Sequence, residues 1–135
     1  MVTKKLKNIL YAEDEDDIRD IAQIALEDIG GFTVKYCVNG LAVLEAAKNF
    51  SPDLLLLDVM MPEMDGPTTL RELRKLPDFY RTPAIFMTAK IQSNEIEGYQ
   101  SLGVLEVIAK PFDPMTLART IQEAWNKYTQ DTSKC

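Results

Sequence analysis

The sequence predicts an α/β chain built on a doubly wound, five-stranded parallel sheet with helices on both faces. Three observations predict it. Short apolar runs alternate with longer amphipathic ones from end to end. The stretch Asp53-Leu54-Leu55-Leu56-Leu57-Asp58 holds four leucines in a row without alternation, as expected of a central parallel strand covered on both faces. Polar residues follow the apolar runs directly: Glu13 and Asp14, then Asp58, Thr88 and Lys110. In an open parallel sheet those positions share the edge where ligands bind.

Each element has a local reason. Leu6 to Ala12 reads as the first strand and stops at an acidic block. From Asp16 to about Ile29, Ile18, Ile21, Ala22, Ala25 and Ile29 recur at helical spacing, and Gly30-Gly31 ends the helix. Phe32 to Val38, rich in β-branched and aromatic residues, reads as the second strand. Asn39 is a helix cap, and Leu41, Leu44 and Ala47 form the expected inner side of a helix reaching about Phe50. After the leucine strand, a loop from Val59 to Gly66 leads into a helix with Pro67 in its first turn, reaching about Leu76. Pro83 precedes the fourth strand, Ala84 to Met87. Gln92 to Leu102 reads as a shorter polar helix ended by Gly103, and Val104 to Ala109 as the fifth strand. Asp113-Pro114 is the expected cap and first turn of a last helix carrying Leu117, Ile121, Ala124 and Trp125. Five strand–helix units fill the 135 residues, so 1–135 reads as one domain with a core of about 7–128 and a frayed tail, 129–135.

Composition narrows the chemistry. At 46% hydrophobic and 27% charged the chain is an ordinary globular one. Its 15 Lys and Arg against 21 Asp and Glu give a net charge of -6, which argues against a large nucleic-acid surface but not against a cation site. There is no histidine, which excludes histidine acid–base chemistry, catalytic triads and His-containing zinc sites. The chain therefore cannot be a phosphohistidine donor. Cys37 and Cys135 read as free thiols in a reducing cytoplasm. Three lysines in Met1 to Lys7 precede no long apolar stretch, so no signal peptide is read, and the apolar runs are too short to span a membrane.

The grouped acids carry the chemical argument. Asp16 and Asp17 are also explained as acids in a helix first turn, and Asp58 alone could cap a loop. Thr88 is commonplace at a strand end, and a lysine before a proline is no signal by itself. Together the set has a purpose. Neighbouring carboxylates repel one another and invite a divalent cation. Mg²⁺ prefers hard oxygen ligands and commonly shares its shell with phosphate. A carboxylate beside such an ion can attack phosphorus, with a hydroxyl and an ammonium available to the phosphoryl oxygens. The attacking group is already an anion, so no histidine base is required.

The residues resemble the response-regulator receiver family, in particular its chemotaxis-regulator-like members, from about Lys7 to Tyr128. The matching segments are Ile9-Leu10-Tyr11-Ala12-Glu13-Asp14-Glu15, Leu57-Asp58-Val59-Met60-Met61-Pro62-Glu63-Met64-Asp65-Gly66, Met87-Thr88-Ala89 and Lys110-Pro111-Phe112. The resemblance implies a flavodoxin-like (βα)5 fold. It implies that Asp58 accepts a phosphoryl group from a phosphohistidine on a sensor histidine kinase or histidine phosphotransfer protein, and that the domain slowly hydrolyses the product. It further implies Mg²⁺ (or Mn²⁺) held by Asp14, Asp58 and the Met60 carbonyl, with Glu13 acting through a metal-bound water. Thr88 would sense the phosphoryl group, Lys110 would contact it, Lys110-Pro111 would be cis, and Gly66 would permit a tight turn. The implied setting is a cytoplasmic phosphorelay. The domain would be a monomer or weak dimer with a protein target downstream, without direct nucleic-acid contact or membrane insertion.

One departure from the family pattern matters, and a second point concerns rate. Val107 stands where an aromatic usually swings inward with the threonine, and a β-branched side chain has no comparable swing. Signalling would then pass through loop order or the helix near Gln92 to Leu102. By the resemblance, the positions two past Asp58 and two past Thr88 flank the path of the hydrolytic water; Met60 and Lys90 occupy them, and the bulky Met60 is expected to slow dephosphorylation. Trp125 and Tyr128 read as packing residues, or with Tyr99 and Val107 as part of a partner surface. Asp113-Pro114-Met115-Thr116-Leu117-Ala118-Arg119 departs from the charged set that DNA-binding members use to dimerise. The polar tail favours the expectation of a stand-alone receiver, with a fragment of a larger regulator or hybrid kinase as the open alternative. Two alternatives remain: a phosphorylation-independent scaffold, and an aspartyl-nucleophile phosphatase, which would want an acid where Met60 stands. A nucleotide or flavin site is disfavoured, because five anions from Glu13 to Asp17 occupy the place of its phosphates.

Overall fold

The four-leucine run forms the middle of the molecule. In the computed structural model, which describes residues 5–89 and 93–133, Leu54–Asp58 is β3 and is buried along its whole length. The other strands are β1 (Asn8–Ala12), β2 (Thr33–Cys37), β4 (Ala84–Thr88) and β5 (Val104–Ala109). All pairings are parallel and the order is β2-β1-β3-β4-β5, the flavodoxin-like order with its switch point between β1 and β3. The expected fold class is the observed one.

Both faces of the sheet are covered. The helices are α1 (Asp16–Gln23), α2 (Gly40–Ala46), α3 (Gly66–Arg74), α4 (Ser93–Gln100) and α5 (Leu117–Ser133). On one face Ile9, Leu54, Leu56 and Ile85 pack with Ala22, Leu26, Ile121 and Trp125. On the other, Leu10, Leu55, Leu57 and Phe86 pack with Val43, Leu70 and Leu73. Strand residues alternate between the two layers because successive side chains point to opposite faces. Trp125 is a packing residue, buried and tilted against half-buried Tyr128 at 5.8 Å between ring centroids.

Several local expectations need correcting. The helix expected over 16–29 changes pitch: after α1, Ile24–Ile29 is π-helical, and Gly30 N–H reaches back five residues to the Ala25 carbonyl at 3.1 Å. A narrow stripe of Ala22, Ala25 and Leu26 meets the sheet, so Ile21 and Ile29 face outward. In α2 the Asn39 side chain caps as expected, accepting from Ala42 N–H at 2.8 Å, but Leu41 is 54% exposed. Gly40 sets that rotation. A Cβ there would lie 2.3 Å from Thr69 Oγ1, so Gly40 and Val43 turn inward and Leu41 turns out. Asp113 closes a turn ahead of α5, accepting through its side chain from Met115 N–H at 2.9 Å and through its carbonyl from Leu117 N–H at 3.0 Å. The helix proper therefore begins at Leu117, later than expected, and runs to Ser133 through part of the stretch read as frayed.

Candidate functional site

The carboxyl ends of β1, β3, β4 and β5 bring the separate polar residues together. Glu13 continues the β1 ladder, donating its N–H to the Cys37 carbonyl at 3.0 Å, with its side chain fully buried. Asp58 is the last residue of β3 and is also buried. Lys110 follows β5, its N–H bonded to the Thr88 carbonyl at 2.9 Å. Its Nζ donates to Glu13 Oε1 at 3.0 Å and to Asp58 Oδ2 at 2.9 Å. One oxygen each from Glu13, Asp14 and Asp58 lies within 4.8 Å of the others, close enough to share a cation. Hard carboxylate oxygens at that spacing fit Mg²⁺ or Mn²⁺ and suit softer metals poorly.

The loop after β3 is tightly built around Asp58. Met60 N–H donates to Asp58 Oδ1 at 3.2 Å, while Met60 itself is 72% exposed. Pro62 to Met64 turns sharply, with Met64 N–H on the Pro62 carbonyl at 2.7 Å and Glu63 at φ 69°. Gly66 matters here through room and not through a special φ. A Cβ there would lie 2.5 Å from the Asp58 carbonyl oxygen.

Thr88, at the end of β4, is buried, and its neighbour Met87 pairs with Asp58 in the sheet register. The Lys110–Pro111 peptide bond is cis. Val107 is half-buried on β5 opposite Phe86, and Phe86 meets Tyr99 edge-on at 4.8 Å. Lys90 lies outside the described residues.

The electrostatics follow from crowding. Burial, aided by the neighbouring Asp58 charge, pushes the Glu13 carboxyl up to about 7 against the relief that Lys110 supplies. Burial works against the Lys110 ammonium as well, but its hydrogen bonds to Asp58 and Glu13 outweigh that and hold it above its ordinary value. Three acids facing one lysine leave the centre with surplus negative charge, which a divalent cation would balance.

Two residues of this region are not evident from the sequence pattern. Arg19 of α1 donates Nη1 to the Glu13 carbonyl at 2.7 Å and pairs with Asp16, fixing the backbone that carries Glu13. Its signal was a lone cation just after an acidic block. Tyr11, two residues before Glu13, is buried on the same face of β1.

Fold and centre together define a doubly wound α/β domain with an acidic–lysine site at the carboxyl edge of its sheet. Residues 9–122 match the model of the response regulator receiver domain. The chain belongs to that family, the receiver domains of two-component systems, which interact with histidine kinases and downstream targets and are in general Mg²⁺-dependent. It is 34% identical over 116 residues to response regulator Rre1 of Synechocystis, covering 85% of this chain and 50% of that protein. An uncharacterized 14.6 kDa protein of Leptolyngbya boryana is 34% identical over 91% of this chain and 93% of its own length. The chemotaxis protein CheY4 of Vibrio cholerae superposes with a TM-score of 0.82 at 26% identity, covering 89% of this chain and 99% of that one. The chain spans about half the length of several regulators it matches, Rre1 and the Streptomyces CseB proteins among them. Among the described residues no helix is long and apolar enough to cross a membrane.

Proposed function

We propose that residues 1–135 act as one phosphoacceptor switch, in which Asp58 takes a phosphoryl group from a phosphohistidine on a sensor kinase or phosphotransfer protein. The observation that carries this reading is the Lys110 ammonium bridging Asp58 and Glu13, with Asp14 beside them. A carboxylate oxygen of Asp58 forms the new P–O bond. The P–N bond to the donor imidazole breaks, and its electron pair stays on that nitrogen. Lys110 and the Thr88 hydroxyl would receive the phosphoryl oxygens as charge develops. Asp14, Asp58 and the Met60 carbonyl would hold Mg²⁺, with Glu13 reaching it through water. The ion would supply charge neutralisation between the acids and the incoming phosphoryl group. Hydrolysis by water attacking phosphorus then restores the Asp58 carboxylate and releases phosphate. The exposed Met60 side chain hinders that water, giving a long-lived phosphoform and time to engage a downstream protein.

Incubation with a small phosphodonor and Mg²⁺ followed by intact-mass measurement tests the reading. One added phosphoryl group is expected, absent in Asp58→Ala. An unchanged wild-type mass across donors and divalent cations overturns it.

A further inference from the structure

The chemistry above leaves one polar group beside the site unused. Ile9, Tyr11 and Glu13 alternate onto the same face of β1. Tyr11 is fully buried there, in the layer that also holds Ala22, Ala25 and Leu26. Its ring is held edge-on against Tyr36, with centroids 6.0 Å apart and planes at 71°. Tyr36 is itself anchored by its hydroxyl to Glu27 Oε2 at 2.9 Å. The Tyr11 hydroxyl, by contrast, has no hydrogen-bond partner among the described residues. Burial raises its pKa well above the ordinary phenol value, and the nearby Glu13 and Asp58 charges raise it further. It is therefore a neutral donor held near two carboxylates, in a place where an unpaired hydroxyl is costly.

Glu13 shows where that donor would be needed. One of its oxygens accepts from Lys110 at 3.0 Å, while the other accepts from Glu15 N–H at a long 3.3 Å. On the function proposed above, on which this inference rests, Lys110 turns to the phosphoryl group, and a buried carboxylate loses its strongest donor. We propose that the Tyr11 hydroxyl is a positioning group that takes over Glu13 when Lys110 engages the phosphoryl group on Asp58. The phenol has no partner among the described residues of the resting protein and gains one in the loaded state, so its hydrogen bond favours the loaded state.

Tyr11→Phe removes the oxygen and keeps the ring. Mg²⁺ with beryllofluoride, a phosphoryl mimic, is the probe, and its affinity is measured by calorimetry. Affinity is expected to fall about tenfold in Tyr11→Phe, the scale of a lost hydrogen bond to a charged group. The denaturation midpoint of the unloaded protein stays the same or rises. In a Glu13→Gln background the tenfold effect of Tyr11→Phe is expected to shrink, because the acceptor has lost its charge. Equal affinity of wild type and Tyr11→Phe overturns the inference, as does an equal loss in both backgrounds. As a measurement independent of variant folding, the Tyr11 ring resonance is followed by NMR in the wild type. It shifts on loading if the hydroxyl gains an acceptor, and a resonance that stays in place overturns the proposal. Beryllofluoride that fails to bind wild-type protein removes the phosphoacceptor reading, and this inference with it. Binding without a Tyr11 effect removes only the inference.

Discussion

The two edges of the sheet both bury charge, and they neutralise it in opposite ways. At the amino edge, the Arg74 guanidinium donates to the carbonyls of Leu102 at 2.8 and 3.0 Å, Phe79 at 2.7 Å and Thr82 at 2.5 Å. Nearby, Asp53 accepts from the Lys7 and Asn8 N–H groups at 3.0 and 2.9 Å. Backbone dipoles are fixed, so these charges tie α3, the start of β4 and the turn before β5 into one unit. At the carboxyl edge, Lys110 is matched instead by two carboxylate side chains. Side-chain partners can be exchanged for a cation or a phosphoryl group. The difference teaches that a buried charge satisfied by the backbone holds the fold, whereas one satisfied by ionisable side chains is available for chemistry.

Substitutions at the two edges should separate chemistry from stability. The largest effect is expected from Lys110→Met, which lowers the rate of phosphorylation by a small phosphodonor about a hundredfold or more, the scale of losing one transition-state donor. Phosphorylation at near wild-type rate would place Lys110 outside the chemistry. Arg74→Met should do the reverse. It strands several carbonyls and destabilises the protein by about 3 kcal/mol in urea unfolding. The folded fraction should still phosphorylate normally, and a selective loss of phosphorylation would erase the contrast between the edges. Asp53→Ala is expected to cost about 1–2 kcal/mol by the same measurement, with phosphorylation again intact.

The pH response should also distinguish the two edges. The Glu13 carboxyl is raised from its ordinary 4.5 to about 7 by burial, so between those values the folded state binds the proton more tightly than the unfolded state. In chelator-treated protein this contribution to stability is fully present below about pH 4.5 and is lost as pH rises through about 7. Glu13→Gln should flatten that slope in the denaturation midpoint, and an unaltered slope would assign it to other groups. The smallest effect is expected at Met60. If Met60 hinders the hydrolytic water as proposed, Met60→Asn should shorten the phosphoryl half-life severalfold without altering stability, because the exposed residue supports no core.

Much of this molecule was legible in the chain. The leucines of β3 and the Asn39 cap follow local rules of burial pattern and capping, which operate within a few residues. The α1 and α2 faces were only partly legible. Ile21, Ile29 and Leu41 fit a helical stripe, yet the π-helical turn and the close seat of Gly40 chose a different rotation. Tyr11 reads as a strand residue within a family-matching segment and carries no sign of a role of its own, since a buried phenol and a buried hydrocarbon look alike until the surroundings are known.

By itself, then, the sequence determined the five-strand alternation and the acids, threonine and lysine at the strand ends, since each is written in a local pattern. Tertiary structure alone decided that Lys110 grips Glu13, 97 residues away, and Asp58, 52 away. It also decided that Arg74 meets carbonyls and that the Tyr11 hydroxyl has no hydrogen-bond partner among the described residues. The physical reason is that partner choice for a buried polar group depends on strand order and register. Those are settled only when both faces of the sheet are packed, and no window of the chain contains them.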